Sequence, residues 1–172
     1  LAGAPLVGRI LERVKRVKKI DKIVLATTEL EKDDVLVELA KQYNVFSFRG
    51  SELDLVDRFY KAAKYYNADV VLRLPADNPC PEPKEYNKLI SYHIKSENDF
   101  SSNITNFMNN NYPDGIGIEA FSFSSLEYIW QNEKDPYKRD FLAMNYYDYL
   151  KDELPKDSKF KVGTIKCNKS IA

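Results

Sequence analysis

The first hundred residues alternate between helix-like and strand-like patterns, and this alternation constrains the fold more than any other feature. Apolar residues at helical spacing predict helices over residues 5–18, from 34, from 54, and over 83–97. Short apolar runs between them predict strands at residues 22–26, 45–48 and 69–74. A helix after every strand implies right-handed crossovers and a mainly parallel sheet with helices on both faces.

The pattern changes after residue 99. Asparagine-rich turn chemistry and strand-like runs at residues 116–123 and 160–165 predict antiparallel pairing in this part. A helix is expected over 126–131, capped by Ser124 or Ser125, and another after Asp135-Pro136 with an aromatic face that extends to Tyr149. The length predicts one domain over residues 1–172. Both ends of the chain look cut.

Composition excludes several classes of protein. The 26 basic and 26 acidic residues cancel, which argues against a nucleic-acid-binding protein. Two distant cysteines, Cys80 and Cys167, fit a reducing cytoplasm better than a disulfide scaffold. No stretch approaches the roughly 20 apolar residues of a membrane span. The start of the chain does not resemble a signal peptide. We therefore expect a cytoplasmic protein that does not associate with membranes.

Three loops follow the predicted strands, and ligands bind parallel sheets at the carboxyl ends of their strands. These loops contain Thr27-Thr28-Glu29, Arg49-Gly50-Ser51 and the proline-rich segment 75–81. Asp77 is the first candidate, because a carboxylate fixed in a stiff loop can bind Mg²⁺. The alternative is an Asx-turn residue before Asn78-Pro79. The sequence leaves both interpretations open.

The basic residues near these loops also have two interpretations. Gly50 would let a ligand approach the backbone near a helix start, but Arg-Gly-Ser is also ordinary turn chemistry. Arg58 lies one helical turn after Asp54, so a structural ion pair is an alternative to ligand binding. Arg73 ends a buried strand and must find a partner, either a phosphate or a carboxylate such as Asp57. The single histidine, His93, lies in mid-helix and is not expected to be catalytic.

Several linked motifs closely resemble the acylneuraminate cytidylyltransferase superfamily, in the branch named for the spore coat polysaccharide biosynthesis protein F. They lie, in the family's order and spacing, at residues 11–15, 23–28, 48–52, 58–60, 68–74, 76–79 and 112–115. The resemblance covers essentially the whole chain. It implies a Rossmann-like three-layer nucleotidyltransferase fold, with an antiparallel arm through which the family typically forms homodimers. Residues 99–165 would include this dimerisation and acceptor region, and dimerisation would explain their aromatic content.

The resemblance also implies a reaction. A sugar hydroxyl attacks the α-phosphate of CTP, a CMP-sugar forms and pyrophosphate leaves, with Mg²⁺ as cofactor. Carried over by position, Asp77 is the metal-binding and catalytic aspartate. The remaining assignments are nucleotide binding by Thr27, Thr28, Gly50, Ser51, Arg58 and Arg73, and acceptor-sugar binding by Asp114 and Glu119.

The chain departs from the family pattern in three places. The family's first strand with its triphosphate-binding loop precedes the point where this chain starts, and its second metal-binding aspartate follows the point where this chain stops. Arg139-Asp140-Phe141 stands where the family often has Arg-Glu-His. We therefore expect this polypeptide to be inactive on its own. The alternatives are a nucleotide-binding or assembly module without catalysis, and a nucleotidyltransferase for another nucleotide or sugar.

Overall fold

The computed structural model describes residues 3–105 and 107–167. Within these residues the helices are α1 (Leu6–Val14), α2 (Asp34–Gln42), α3 (Leu55–Tyr65), α4 (Pro83–Ser96), α5 (Phe123–Asn132) and α6 (Pro136–Asp140). The strands are β1 (Val24–Thr28), β2 (Phe46–Gly50), β3 (Val70–Arg73), β4 (Phe100–Ser102), β5 (Glu119–Ser122) and β6 (Val162–Gly163). The last five residues and the first two, where the sequence suggests cut ends, lie outside the described residues.

The strands form two sheets. β1 and β2 pair in parallel, as predicted. The second sheet has the order β3-β5-β4-β6, in which β5 is antiparallel to β3 and β4, and β6 is parallel to β4. The α/β class and the antiparallel pairing after residue 99 are therefore confirmed. β3 differs from the prediction, because its hydrogen-bonded partner in the described chain is β5 and not β1 or β2.

The starts of α3 to α6 have capping side chains that accept hydrogen bonds from free backbone amides, whereas α1 and α2 start without one. Asp54 accepts a hydrogen bond from the Asp57 amide at the start of α3, and Glu82 accepts one from the Lys84 amide at the start of α4. The predicted cap of α5 is wrong, since Ser122 caps this helix and accepts from the Ser125 amide.

Two helices are shorter than the periodicity predicts. α1 ends at Val14, and the following residues form tight turns, in which the Val17 amide donates to the Val14 carbonyl at 2.9 Å. α6 ends at Asp140, because Phe141 leaves the helical region with φ −107° and ψ 73°. A separate 3₁₀ turn over Leu142–Asn145 follows, and Tyr146, Tyr147 and Tyr149 lie in the segment beyond it, not on one long helical face.

The main core contains most of the aromatic residues that follow residue 99. Phe100, Phe121 and Tyr146 are completely buried, and the Phe100 and Tyr146 rings stack with centroids 4.9 Å apart. Helices α3 and α5 close this core against the second sheet. The packing of the chain itself thus accounts for most of these aromatic residues, whereas Tyr128, Tyr137 and Phe141 are exposed. The homodimer stays a prediction. None of the helices in the described part of the chain has the length and hydrophobicity that a membrane crossing needs.

Candidate functional site

The carboxyl ends of β1 and β2 lie side by side. Thr28 and Gly50 are register partners at the last positions of the two strands. Arg49 and Gly50 therefore belong to β2, although the sequence predicts that they break the strand. The parallel pairing places the predicted threonine pair next to the Arg-Gly-Ser segment, so the first two predicted loops share one rim.

Arg49 fixes the loop that follows β1. Its Nε donates to the Thr28 carbonyl at 2.9 Å, its Nη2 donates to the Leu30 carbonyl at 2.8 Å, and its Nη1 pairs with Asp34 at 2.5 Å. Every one of these contacts is internal, so Arg49 is a structural residue. The sequence predicts Arg49 only as part of a loop, because its role in holding the neighbouring loop depends on the pairing of β1 with β2.

The two threonines differ in their environment. Thr27 is buried, with 4% of its surface exposed. The Thr28 hydroxyl donates a hydrogen bond to the Asp33 carboxylate, and this bond lowers the pKa of Asp33. A nucleotide base at this rim would therefore meet the Thr28–Asp33 pair and the nearby backbone before it met the Thr27 side chain.

Arg58 lies against Gly50 and Ser51. A Cβ on Gly50 would lie 3.1 Å from the Arg58 Cγ, so glycine makes room for this arginine. The Arg58 Nη1 donates to the Ser51 carbonyl at 2.9 Å. The predicted alternative, an Arg58–Asp54 ion pair, is wrong, because Asp54 pairs with Arg139 at 2.7 Å.

The Arg58 guanidinium lacks one partner. Its Nε is buried and has no hydrogen-bond acceptor among the described residues. Burial lowers the pKa of Arg58, and the positive charge of Arg73 lowers it further, while Asp140 and Asp33 oppose this effect. Arg58 thus lies on α3 beside the end of β2 and has one guanidinium nitrogen without an acceptor in the described chain. This arrangement favours a bound anion.

Arg73 pairs with Glu119 across the second sheet. The two residues are register partners on β3 and β5, and Nη1 lies 2.5 Å from the carboxylate. The sequence suggested Asp57 as a carboxylate partner. Asp57 instead accepts from the Trp130 indole at 2.8 Å and pairs with Lys61. Glu119 is 2% exposed, which leaves little of it for an acceptor sugar.

Asp77 lies in an exposed position on a well-anchored loop. The Asn78 amide donates to the Pro75 carbonyl at 3.1 Å, and the Asn78 side chain donates to the Gly117 carbonyl at 3.0 Å. The Cys80 amide donates to the Gly115 carbonyl at 3.2 Å. These bonds hold segment 75–81 against segment 113–117.

The Asp77 carboxylate makes no hydrogen bond or ion pair with the described residues, so the Asx-turn interpretation fails. Asp114 lies exposed on the neighbouring segment. The described residues contain no group of three or more acidic, cysteine or histidine side chains that could enclose a metal ion. A single available carboxylate still fits Mg²⁺, which keeps water molecules and substrate phosphates among its ligands.

Arg139 anchors α6 beside the start of α3. Besides its ion pair with Asp54, its Nη1 donates to the carbonyls of Glu133 at 2.9 Å and Trp130 at 3.2 Å. The sequence flagged this segment only as a departure from a family motif. Arg139 matches the motif, and the departure is at the next two residues, Asp140 and Phe141; the charge of Asp140 opposes the lowering of the Arg58 pKa by burial.

Two surface cavities lie away from this rim. One is lined by residues around Lys22 and Phe46 at the amino ends of β1 and β2. The other lies between Met108 and Leu154. Neither cavity is lined by a predicted site residue. The candidate site is therefore defined by its polar side chains and not by a cavity.

The chain matches relatives of known sequence. Residues 1–154 match the family model described as cytidylyltransferase. An uncharacterized protein of Methanocaldococcus jannaschii is 38% identical over 139 residues, which is 81% of this chain and 55% of that protein. The spore coat polysaccharide biosynthesis protein SpsF of Bacillus subtilis is 32% identical over 96 residues, 56% of this chain and 40% of that protein. The chain thus spans about half the length of these curated relatives.

Solved structures share the fold. A cytidylyltransferase from Leptospira borgpetersenii is 30% identical with a TM-score of 0.84, and the match covers 96% of this chain and 66% of that one. A CMP:2-keto-3-deoxy-manno-octonic acid synthetase complexed with CTP has a TM-score of 0.67 at 13% identity, over 97% of this chain and 80% of that one. The family model covers most of the chain, and the fold and the linked motifs agree with it. The chain belongs to the cytidylyltransferase family, in a branch similar to SpsF.

Proposed function

We propose that the protein carrying this chain is a cytidylyltransferase that joins a sugar to CMP from CTP and releases pyrophosphate. The observation that carries the proposal is the buried Arg58 Nε, which lies beside Gly50 and Ser51 and has no hydrogen-bond acceptor among the described residues. A phosphate oxygen of a nucleotide would supply the missing acceptor. The family membership of the chain supports CTP as the nucleotide.

In the proposed reaction an oxygen of the sugar hydroxyl forms a bond to the α-phosphorus. The bond from this phosphorus to the oxygen bridging to the β-phosphate breaks, pyrophosphate leaves with the electron pair, and the hydroxyl proton passes to solvent or a base. Arg58 and Arg73 would hold phosphate oxygens, because positioning and electrostatics carry most of the catalysis in such reactions. Thr28, Gly50 and Ser51 would contact the nucleotide, and the buried Thr27 would pack beneath them.

Asp77 would hold Mg²⁺ together with the nucleotide phosphates. When bound, Mg²⁺ would supply positive charge to the phosphate oxygens. The anchoring of segment 75–81 supports this role, since it keeps an available carboxylate in a fixed place. On the acceptor side, Asp114 is the better candidate, because it is exposed while Glu119 is engaged by Arg73. The product would serve surface polysaccharide synthesis, such as that of a spore coat, which the likeness to SpsF supports.

A second candidate is a module that binds a nucleotide without catalysis. Arg139 forms an ion pair with Asp54, and Phe141 stands where the family often has a histidine. His93, the only histidine in the sequence, is 2% exposed and is not accessible to a substrate. The two candidates agree on CTP binding and differ on turnover.

The test is a thermal-shift series on the protein carrying this chain with CTP, UTP, ATP and GTP, with and without Mg²⁺. A ligand that binds only the native state at a hundredfold excess over its Kd adds about 2.7 kcal/mol of apparent stability. We expect a shift with CTP that grows with Mg²⁺, and pyrophosphate release when a suitable sugar is added. A shift without turnover favours the module, and no shift with any nucleotide contradicts both candidates. A size measurement in the same buffer tests the predicted homodimer.

A further inference from the structure

Arg13 on α1 reaches the loop that carries Asp77. Its Nε donates to the Pro81 carbonyl at 2.6 Å, and its Nη2 lies 3.5 Å from the Glu82 carboxylate. Pro81 is buried, and Glu82 is the capping residue of α4. Arg13 therefore binds the chain at the point where the Asp77 loop ends and α4 begins.

A second set of bonds joins the same two elements. The amides of Lys18 and Lys19, just beyond α1, donate to the Asn87 side-chain oxygen at 3.1 and 3.0 Å. The Asn87 side-chain nitrogen donates to the Pro83 carbonyl at 2.8 Å. Since these bonds dock the end of α1 on the first turns of α4 without Arg13, loss of the Arg13 side chain should loosen the loop and leave the helices in place.

The other side of the loop is held separately. Asn78 and Cys80 bond to the carbonyls of Gly117 and Gly115. The tip with Asp77 thus lies between two anchors, one from segment 115–117 and one from α1. Neither anchor touches the Asp77 carboxylate, which stays available to a ligand.

We propose that Arg13 is a positioning residue, which fixes the Asp77 loop from behind so that the carboxylate is held in place for a metal–nucleotide complex. The loop contact stands on the geometry, and its consequence for metal binding rests on the proposed function. A guanidinium suits this task, because its planar fork donates to a carbonyl and a carboxylate at once, whereas a lysine ammonium is a point donor on a flexible stem.

The test compares Arg13→Gln and Arg13→Lys with Arg16→Gln, which removes the same charge from an exposed residue three positions further along. Two quantities are measured: amide hydrogen exchange in segment 76–82, and the affinity for Mn²⁺ in the presence of CTP, followed by the electron paramagnetic resonance of free Mn²⁺. CTP affinity without metal is measured by calorimetry. These readouts do not depend on turnover.

For Arg13→Gln we expect at least tenfold faster exchange in segment 76–82 and about tenfold weaker Mn²⁺ binding, while metal-free CTP affinity changes less than twofold. Arg13→Lys should recover part of both losses, and Arg16→Gln should match the parent protein. Unchanged exchange in Arg13→Gln overturns the loop contact. Faster exchange with unchanged Mn²⁺ affinity overturns the positioning role. If the parent binds neither CTP nor Mn²⁺, the proposed function fails, and the exchange measurement still decides whether Arg13 holds the loop.

Discussion

Arg73 and Glu119 face each other on neighbouring antiparallel strands and form an ion pair at 2.5 Å. The Glu119 side chain is only 3% exposed, and that of Arg73 is 26% exposed. A carboxylate at this depth needs a cation, and the strand register supplies one without any loop movement. Burial lowers the pKa of Arg58, and the positive charge of Arg73 lowers it further.

Replacing Arg73 alone should be strongly destabilising. In Arg73→Met the Glu119 carboxylate is left buried without its cation, which costs about 3–5 kcal/mol in comparable cases. Urea unfolding measures this loss. The double variant Arg73→Met/Glu119→Leu should recover most of the lost stability, because an apolar pair of similar volume removes the unpaired charge. A double variant as unstable as the single one would show that the ion pair is not the cause.

Replacing Arg58 should affect CTP binding more than stability, in contrast to replacing Arg73. The buried Arg58 Nε has no acceptor among the described residues, and this cost offsets the hydrogen bond that Nη1 donates to the Ser51 carbonyl, so Arg58→Met should change the free energy of unfolding by less than about 1 kcal/mol. The same change should weaken CTP binding at least tenfold. Urea unfolding and calorimetry on one preparation test both effects. A variant that is less stable than the parent and binds CTP normally would contradict the assignment of Arg58 to the anion site.

The sequence predicts which loops meet at the ends of β1 and β2, but it does not predict the ion-pair partner of Arg73. Apolar runs locate β1 and β2, and parallel pairing then brings Thr28 and Gly50 together. The partner of Arg73 was not predictable, because Glu119 lies 46 positions away in the chain and their contact depends on the register of β3 with β5. Local spacing favoured Asp57, which the tertiary contact overrides.

Helix ends were predictable only where a local signal marks them. Pro83 opens α4, and the predicted and observed starts agree. The end of α1 has no such signal, since Val17 keeps the apolar spacing but is buried by packing against α4 residues such as Leu89. The prediction after α6 is wrong for a similar reason. Tyr146 and Tyr147 pack into the core from the segment that follows a 3₁₀ turn, and periodicity alone cannot distinguish this from a helix.

Gly117 should be intolerant of a side chain. A Cβ there would lie 2.5 Å from the Ile104 Cα and 2.7 Å from its Cγ2, so backbone as well as side chain would have to move. We expect Gly117→Ala to cost about 1–3 kcal/mol in urea unfolding, as for other overpacked sites. Because the Gly117 carbonyl also anchors Asn78, exchange in the Asp77 loop should rise.

A second variant identifies the clashing atom at this position. Ile104→Ala removes the Cγ2 contact but leaves the nearer Cα, so Gly117→Ala/Ile104→Ala should not regain the stability lost in Gly117→Ala. Recovery in the double variant would mean that the side chain alone is responsible for the clash.

His93 should make the fold sensitive to acid. Burial lowers the pKa of His93 from 6.5 to about 4, although the charge of Asp99 opposes the shift. Between these two values the unfolded chain binds a proton that the folded chain does not, so the free energy of unfolding falls as the pH falls through this window. The loss attributable to His93 is about 3 kcal/mol by pH 4.

His93→Asn provides the comparison, since an amide group can replace the contact between Nδ1 and the Ser101 hydroxyl at 3.0 Å. Urea unfolding of both proteins from pH 7 to 4 separates the contribution of His93 from that of the titrating carboxylates. The free energy of unfolding should fall more steeply with falling pH in the parent than in His93→Asn, and this difference should lie between pH 6.5 and 4. Parallel curves would contradict a histidine that is kept neutral by burial.

The central proposal is that Asp77 and Arg58 hold one nucleotide between them, and calorimetry of CTP binding with and without Mg²⁺ tests it most directly. Asp114→Asn on the neighbouring segment is the matched control for Asp77→Asn. We expect Mg²⁺ to tighten CTP binding about tenfold or more in the parent and in Asp114→Asn, and to have almost no effect in Asp77→Asn. Equal Mg²⁺ dependence in all three proteins, or no CTP binding by the parent, would contradict the account.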